Sequence, residues 1–202
     1  MKIYITHYTP LKDRKQKIIE QLNNYNLTNY EFIELYDREN LTSNEKNKFS
    51  NISLSEMSLF LKHIEIFKKE YNTNEYIIVL EDDAILLNNF KENLNTYINE
   101  LTQLTMWNVA FTSSCCNLHV KNTIPSNHFY VSNSSRGTCM YIINIGTCKL
   151  LLNIYQKQSK IKVPIDHWFN NILTPYNLKY YWSEPVLIEQ GSELGIYKSE
   201  IR

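Results

Sequence analysis

The sequence is poor in glycine and lacks the common signatures of nucleotide and hydrolytic sites. Only 4 of its 202 residues are glycine. No G-x-x-x-x-G-K-[ST] loop, G-x-G-x-x-G fingerprint, H-E-x-x-H helix or G-x-S-x-G elbow occurs. These absences argue against four classes of enzyme, namely P-loop NTPases, dinucleotide-binding dehydrogenases, zinc metalloproteases and α/β-hydrolases.

An excess of charge of one sign is also lacking. Lysine plus arginine and aspartate plus glutamate both number 21, so the formal net charge is zero. A chain without net charge has no global field that attracts nucleic acid or an anionic membrane. We therefore expect no nucleic-acid partner.

Long apolar runs are missing as well. Lys, Asn or Glu interrupts every stretch before it reaches the roughly 18 apolar residues of a transmembrane helix. The first residues alternate apolar and polar side chains, as a strand does, and do not form the core of a signal peptide. We expect no transmembrane segment and a cytoplasmic protein, or one bound at the periphery of a membrane.

The cysteines lack the paired C-x-x-C spacing of zinc sites and redox motifs. Without a secretory signal, we expect no oxidising compartment in which they would pair. Free thiols are therefore the expected state, ahead of disulfides or a zinc site. The four cysteines are Cys115, Cys116, Cys139 and Cys148.

Strand and helix patterns alternate along the chain, which argues for an α/β fold with a mostly parallel sheet and helices on both faces. The hydrophobic content of 43% fits one buried core, and 202 residues leave little room for a second. We expect one domain over residues 1–202. The predicted strands lie near residues 3, 32, 78, 109 and 141, and the predicted helices span 12–22, 53–67, 90–104 and 148–156.

The most informative motif is an acidic triplet, Glu81, Asp82 and Asp83, directly after an apolar run at 76–80 that suits a central strand. In a parallel sheet the carboxyl end of such a strand faces the ligand crevice. Three adjacent carboxylates repel one another, and a bound cation keeps them ionised; hard oxygen ligands suit Mn²⁺ or Mg²⁺. Capping of the next helix together with exposure to water is the alternative explanation.

A second acidic residue, Asp166, follows Pro164 and precedes Trp168 at a predicted helix start. A carboxylate beside an aromatic ring is common in sugar sites, because the ring stacks on the pyranose and the carboxylate accepts from its hydroxyls. A helix N-cap for Asp166 and core packing for Trp168 or Trp182 are the alternatives.

Three basic residues are weaker candidates. Arg14 and Arg136 lie in or near predicted loops, where a guanidinium can hold a phosphate in a bidentate fork, although a solvated surface charge is the commoner role. His63 lies on an apolar helix, where a lone histidine usually belongs to the core.

Taken in order, these motifs resemble the family 25 glycosyltransferases, which include bacterial lipooligosaccharide galactosyltransferases and procollagen galactosyltransferase domains. Ile78 to Asp83 is the strongest match, similar to the D-x-D signature with which type A glycosyltransferases bind Mn²⁺ and a nucleotide sugar. Lys62 stands where the family usually has Ser. Looser matches are Asp13-Arg14, the strand ending at Asp37, Ser53 to His63, Arg136-Gly137-Thr138, Pro164-Ile165-Asp166 and Glu189-Gln190 to Ser192.

The resemblance implies a single Rossmann-like domain of the GT-A type. It also implies metal-dependent, inverting transfer of galactose or glucose from a UDP-sugar to a hydroxyl of a glycan, lipooligosaccharide or protein. Asp83 and Glu81 would bind Mn²⁺ or Mg²⁺, and Asp166 would be the general base, with Glu184 and Glu189 as fallbacks. The substrate-binding residues implied are Arg14, Asp37, Glu81, Asp82, Arg136, Gly137, Thr138, Trp168 and Gln190.

Two other functions fit the same residues. A catalytically silent domain would bind a nucleotide sugar or a glycan without turnover. A different metal-dependent nucleotidyl or phosphoryl transferase would also place carboxylates at strand ends.

Overall fold

The computed structural model describes residues 1–69 and 75–200, and helices and strands alternate along most of them. A 3-10 helix covers Arg38–Asn40. The strands are β1 (Ile3–Thr6), β2 (Tyr30–Ile33), β3 (Tyr76–Glu81), β4 (Ala84–Leu86), β5 (Val109–Phe111), β6 (Phe129–Ser132), β7 (Met140–Asn144), β8 (Tyr180–Ser183) and β9 (Ile188–Gln190). The helices are α1 (Lys12–Asn24), α2 (Ser43–Lys46), α3 (Leu54–Lys68), α4 (Phe90–Gln103), α5 (Ile145–Lys157) and α6 (Ile165–Leu173).

Seven strands form the central sheet in the order β2-β1-β3-β7-β5-β8-β6. Five of them, β1, β2, β3, β5 and β8, run in one direction, and β7 and β6 run against them. The predicted mostly parallel sheet is confirmed. The reversal of β7, between β3 and β5, could not be predicted, because a strand buried on both faces shows the same continuous apolar run whichever way it points.

Helices cover both faces of the sheet, as predicted. Successive residues of β3 point to opposite sides, so Ile77 and Val79 pack in one apolar cluster and Ile78 and Leu80 in the other. The first cluster contains residues of α3, α5 and α6, and the second contains residues of α1 and α4.

Helix α3 has the capping box that its sequence predicts. The Ser53 hydroxyl accepts a hydrogen bond from the Glu56 amide (3.2 Å), and the Glu56 carboxylate accepts one from the Ser53 amide (2.6 Å). Its apolar residues Phe60 and Ile64 enter the first cluster. This packing fixes the helix beside β1 and β3.

Four short elements were absent from the sequence prediction, namely the 3-10 helix, α2, β4 and β6. Strand β6 lies within the polar stretch 118–135, and β4 pairs antiparallel with β9 in a separate two-stranded sheet. An element of three or four residues is too short to show a period. The β4–β9 pairing matters for the site, because it aligns Ala84 with Gln190 beside the acidic triplet. No helix in the described ranges has the length and apolar character needed to cross a membrane.

Candidate functional site

The acidic triplet lies at the carboxyl end of the central strand β3, and it is buried. Glu81, Asp82 and Asp83 are exposed by 9%, 7% and 4%. The next long helix, α4, begins at Phe90 with Asn89 at its N-cap position. Helix capping and exposure to water therefore do not explain the triplet.

Asp82 is committed to the loop between β1 and α1. Its Oδ2 lies 2.7 Å from Nδ1 of His7 and accepts from the Tyr8 amide at 3.3 Å. Its Oδ1 accepts from the Arg14 guanidinium at 3.3 Å. These contacts neutralise Asp82 and anchor the loop against the end of β3.

Glu81 and Asp83 have neutral hydrogen-bond donors instead. Glu81 accepts from the Thr138 hydroxyl (2.6 Å), and Asp83 accepts from the Gln190 amide (3.3 Å). Across the described residues, neither carboxylate forms an ion pair with lysine or arginine. Burial, and next the charge of Asp83, raise the pKa of Glu81 to about 8.

This donor set fits a divalent cation. Mg²⁺ is usually held by one or two carboxylates together with substrate phosphates, and Mn²⁺ accepts the same oxygen ligands. Glu81 and Asp83 supply two buried carboxylates without a cationic partner, and a divalent cation would offset their repulsion.

His63 lies beneath this pair. Its Nδ1 is 2.8 Å from the Tyr141 hydroxyl, and its Nε2 is 3.9 Å from Glu81 without a hydrogen-bond partner. Complete burial lowers the pKa of His63 to about 3, so the ring is neutral. It supports the triplet from the core side and does not line either cavity described below.

A first cavity, of about 90 Å³, lies over the triplet and is lined by several basic residues. Arg14 and His7 reach it from the β1–α1 side, Arg38 from the 3-10 helix, and Lys62 from α3. Arginine and lysine side chains beside buried carboxylates suit a ligand that carries both phosphate groups and a metal ion.

Lys62 is held in place by Asp37. Its ammonium donates to Oδ1 of Asp37 at 2.8 Å and to the Leu35 carbonyl at 2.6 Å. Asp37 also accepts from the Thr9 hydroxyl. Burial lowers the pKa of Lys62, and the contact with Asp37 opposes that effect. Asp37 thus positions a cation and does not line the cavity itself.

A second cavity, of about 440 Å³, adjoins the first and has a different lining. Asp166, Gly137, Thr138 and Glu193 lie on its wall. Its lining contains no lysine or arginine among the described residues. The two cavities meet at shared residues, namely Leu59, Glu81, Gln190, Ser192 and Ser199.

Asp166 occupies the first turn of α6, whose N-cap position is Pro164. Its Oδ1 accepts from the His167 amide at 2.8 Å, and about a third of its side chain is exposed. The N-cap alternative is therefore wrong for this residue. Its carboxylate is available on the wall of the larger cavity.

Arg136 and Trp168 lie outside the two cavities. The Arg136 side chain is fully buried and donates to the Leu118 and Ser183 carbonyls and to Glu184, which it meets at 2.6 Å. Trp168 packs in the core against Phe60. Neither residue lines either of these two cavities, so Arg136 does not face a phosphate there and Trp168 offers no ring to a sugar.

The two fallback bases also lie apart from the cavities. Glu184 is the partner of Arg136, and Glu189 is on β9, where it pairs with Ile85 of β4. Trp182 has the Arg136 guanidinium over its ring and donates to the Ser134 carbonyl.

The sequence prediction missed three residues of the first cavity. His7 directly follows β1, Arg38 follows Asp37, and Lys62 was noted only as a departure from Ser. The position of His7 at the carboxyl end of a parallel strand was a usable signal. Nothing in the local pattern distinguishes Arg38 or Lys62 from a surface cation.

The segment after β9, residues 191–200, folds back over the first cavity. Arg14 lies over the Tyr197 ring (5.0 Å) and donates to the Lys198 carbonyl. Arg38 donates to the carbonyl of Glu200 (3.3 Å) and to its carboxylate (3.2 Å). Two guanidinium groups of this cavity therefore bind the chain's own oxygen atoms.

Comparison with known proteins identifies the family. A model described as glycosyltransferase family 25 (LPS biosynthesis protein) matches residues 1–169. The chain belongs to glycosyltransferase family 25. The match includes β3, the acidic triplet, Lys62 and Asp166, so the family 25 resemblance seen in the motifs is confirmed. No curated protein matches the sequence at a significant level.

Three solved structures align with this family 25 chain, and one of them does so with a TM-score above 0.5. A glycosyltransferase involved in the glycosylation of the major capsid of PBCV-1 aligns over 94% of this chain and 92% of its own, with a TM-score of 0.54 and 12% identity. Mouse xyloside xylosyltransferase 1 aligns over 88% and 69%, with a TM-score of 0.43 and 9% identity. The 4-diphosphocytidyl-2C-methyl-D-erythritol synthase of Anaerococcus prevotii aligns over 96% and 75%, with a TM-score of 0.44 and 16% identity. The first likeness confirms the predicted GT-A type of fold.

Proposed function

We propose that this family 25 glycosyltransferase transfers galactose or glucose from a UDP-sugar to a hydroxyl group of a glycan, lipooligosaccharide or protein, with a divalent cation and with inversion. The observation that carries the proposal is the pair of adjoining cavities. One is lined by arginine and lysine side chains, the other contains the partly exposed carboxylate of Asp166 and no lysine or arginine in its described lining, and they meet at Glu81.

The basic cavity is the place for the donor diphosphate. Arg14, Arg38 and Lys62 line it, and guanidinium and ammonium groups are the usual partners of phosphate oxygens. Asp82 and Asp37 act indirectly, since each holds one of these cations in place.

Glu81 and Asp83 would hold Mn²⁺ or Mg²⁺ between the protein and the diphosphate. Once bound, the cation would act as a Lewis acid that offsets the charge developing on the leaving UDP. Thr138 and Gln190 orient the two carboxylates through the hydrogen bonds that they donate. Gly137 lies next to Thr138 on the wall of the second cavity.

Asp166 is the proposed general base. Inversion requires the acceptor hydroxyl to attack from the side opposite the leaving diphosphate, and a carboxylate on that side can take its proton. Asp166 lies on the wall of the second cavity, which adjoins the cationic one. The volume of the second cavity, about 440 Å³, falls within the usual range for binding small ligands.

The first experiment is calorimetric titration with UDP, UDP-galactose and UDP-glucose, with and without Mn²⁺. We expect metal-dependent binding by the wild type and by Asp166→Asn, and none by Asp83→Ala. Asp13→Asn changes an exposed aspartate of α1 and is the matched control, with wild-type binding expected.

Turnover is measured as UDP release over a panel of glycan and peptide acceptors. We expect Asp166→Asn to lose this release while it still binds the donor. Wild-type affinity and metal dependence in Asp83→Ala would refute the site. Donor binding without turnover on any acceptor would indicate a silent binding domain, and release of pyrophosphate would indicate a nucleotidyl transferase.

A further inference from the structure

Two cysteines and a glutamate form a cluster at the rim of the second cavity. Sγ of Cys115, Sγ of Cys116 and a carboxylate oxygen of Glu193 all lie within 4.8 Å of one another. Cys115 is partly exposed and Cys116 is exposed. None of the three has a part in the proposed transfer reaction.

The cluster is preorganised by hydrogen bonding and by packing. Both carboxylate oxygens of Glu193 accept from the Cys116 amide, at 2.9 and 3.0 Å, and each retains lone pairs for a further partner. Gly137, at φ +68°, lies directly against Cys115, where an added Cβ would come within 3.0 Å of its Cβ and 3.2 Å of its Sγ. Glycine at this position therefore leaves room for the Cys115 side chain.

The distance between the sulfur atoms is compatible with a shared metal ion. The two Sγ atoms are 3.5 Å apart. Tetrahedral zinc with bonds of about 2.3 Å to sulfur separates two thiolates by about 3.8 Å, whereas a disulfide needs about 2.05 Å. The observed spacing is close to the first value and far from the second.

We propose that Cys115, Cys116 and Glu193 bind a thiophilic divalent cation such as Zn²⁺ or Cd²⁺. Thiolate ligands select such ions over Mn²⁺ and Mg²⁺, so the site differs in chemistry from the carboxylate pair at Glu81 and Asp83. The two thiol protons pass to solvent as the two metal–sulfur bonds form.

The position of the site gives it a structural consequence. Cys115 follows β5 closely, and Glu193 belongs to the 191–200 segment. A cation bound by both would join that segment to the wall of the second cavity. No C-x-x-C spacing marks the site in the sequence, because its two cysteines are adjacent and its third ligand comes from a distant part of the chain.

The test is a spectroscopic titration with Cd²⁺ alone, without nucleotide and in a phosphine reductant. Thiolate-to-cadmium charge transfer in the ultraviolet reports binding at sulfur. We expect one equivalent per wild-type chain. Cys115→Ser, Cys116→Ser and Glu193→Gln should each lower the affinity by roughly tenfold or more, since even the loss of outer-shell partners costs that much.

Matched controls separate this site from other thiols and carboxylates. Cys148→Ala removes a thiol buried in α5, and Glu92→Gln removes an exposed carboxylate of α4; both should bind Cd²⁺ as the wild type does. Asp83→Ala should also retain the band, so failure of the proposed donor site leaves this result intact. Absence of the band in the wild type, its persistence in both cysteine variants, or two chains per Cd²⁺ would overturn the proposal.

Discussion

Arg136 shows how tertiary structure decides the role of a single residue. The sequence suggested a phosphate ligand, but its guanidinium is buried against Glu184, whose side chain is only 11% exposed. We expect Arg136→Ala to lower the free energy of unfolding by roughly 3–5 kcal/mol, because removal of one partner leaves a buried charge unpaired. Denaturant unfolding measures this loss.

The double variant Arg136→Met, Glu184→Gln is the control, since it removes both charges and should recover much of the lost stability. UDP affinity of folded Arg136→Ala should match that of the wild type. A loss of UDP affinity without a loss of stability would restore the phosphate role.

The packing around Gly191 leaves no room for the side chain of an alanine. A Cβ there would lie 2.5 Å from the Tyr197 ring and 2.9 Å from the carbonyl oxygen of Asp83. We expect Gly191→Ala to displace Asp83 and weaken Mn²⁺-dependent UDP binding several-fold, measured by calorimetry.

Gly195 offers a matched control for this substitution. It has φ +72° with no atom within 4 Å of an added Cβ. Alanine there should cost only about 1–2 kcal/mol of stability through its left-handed conformation and leave UDP binding unchanged. Equal losses of UDP affinity in the two variants would contradict the role given to close packing at Asp83.

Among the elements, α3 links the core to the site, because it carries Lys62 on the wall of the first cavity and His63 beneath the acidic triplet. Its capping box satisfies two amides at the exposed start of the helix. We expect Ser53→Ala to lower stability by about 1 kcal/mol. Thermal or denaturant unfolding measures this change, and Ser53→Asp should restore it. A neutral Ser53→Ala would mean that packing alone sets where α3 begins.

The sequence predicted those parts of the fold that have a local signal. The run before Glu81 identified β3 as central, and the carboxyl end of a parallel strand is where ligands bind. The capping box likewise located the start of α3. In contrast, the direction of β7 and the β4–β9 pairing depend on partners far along the chain, and no local period encodes them.

The same distinction applies to the site. Glu81, Asp82, Asp83 and Asp166 line the two cavities, and the sequence singled them out because each lies at or near the end of a predicted element. The sequence did not single out Arg38 or Lys62, because only the assembled fold shows that they line the first cavity.

At the scale of the whole molecule, the 191–200 segment limits the room in the cavity proposed for the donor. The first cavity measures about 90 Å³, whereas pockets for small ligands usually measure about 300–1,000 Å³. The segment also occupies Arg14 and Arg38 with its carbonyl and carboxylate oxygens. A diphosphate must therefore displace it to reach either guanidinium.

Removal of the chain from residue 192 onward should strengthen UDP binding. We expect a gain of about tenfold by calorimetry, the equivalent of one or two net hydrogen bonds that no longer compete. Glu200→Gln, which removes one of the two carboxylate charges paired with Arg38 and leaves that of Glu39, should give a smaller gain in the same direction. Weaker UDP binding in the truncated chain would mean that the segment belongs to the donor site and closes over the nucleotide, because its contacts would then add to the affinity.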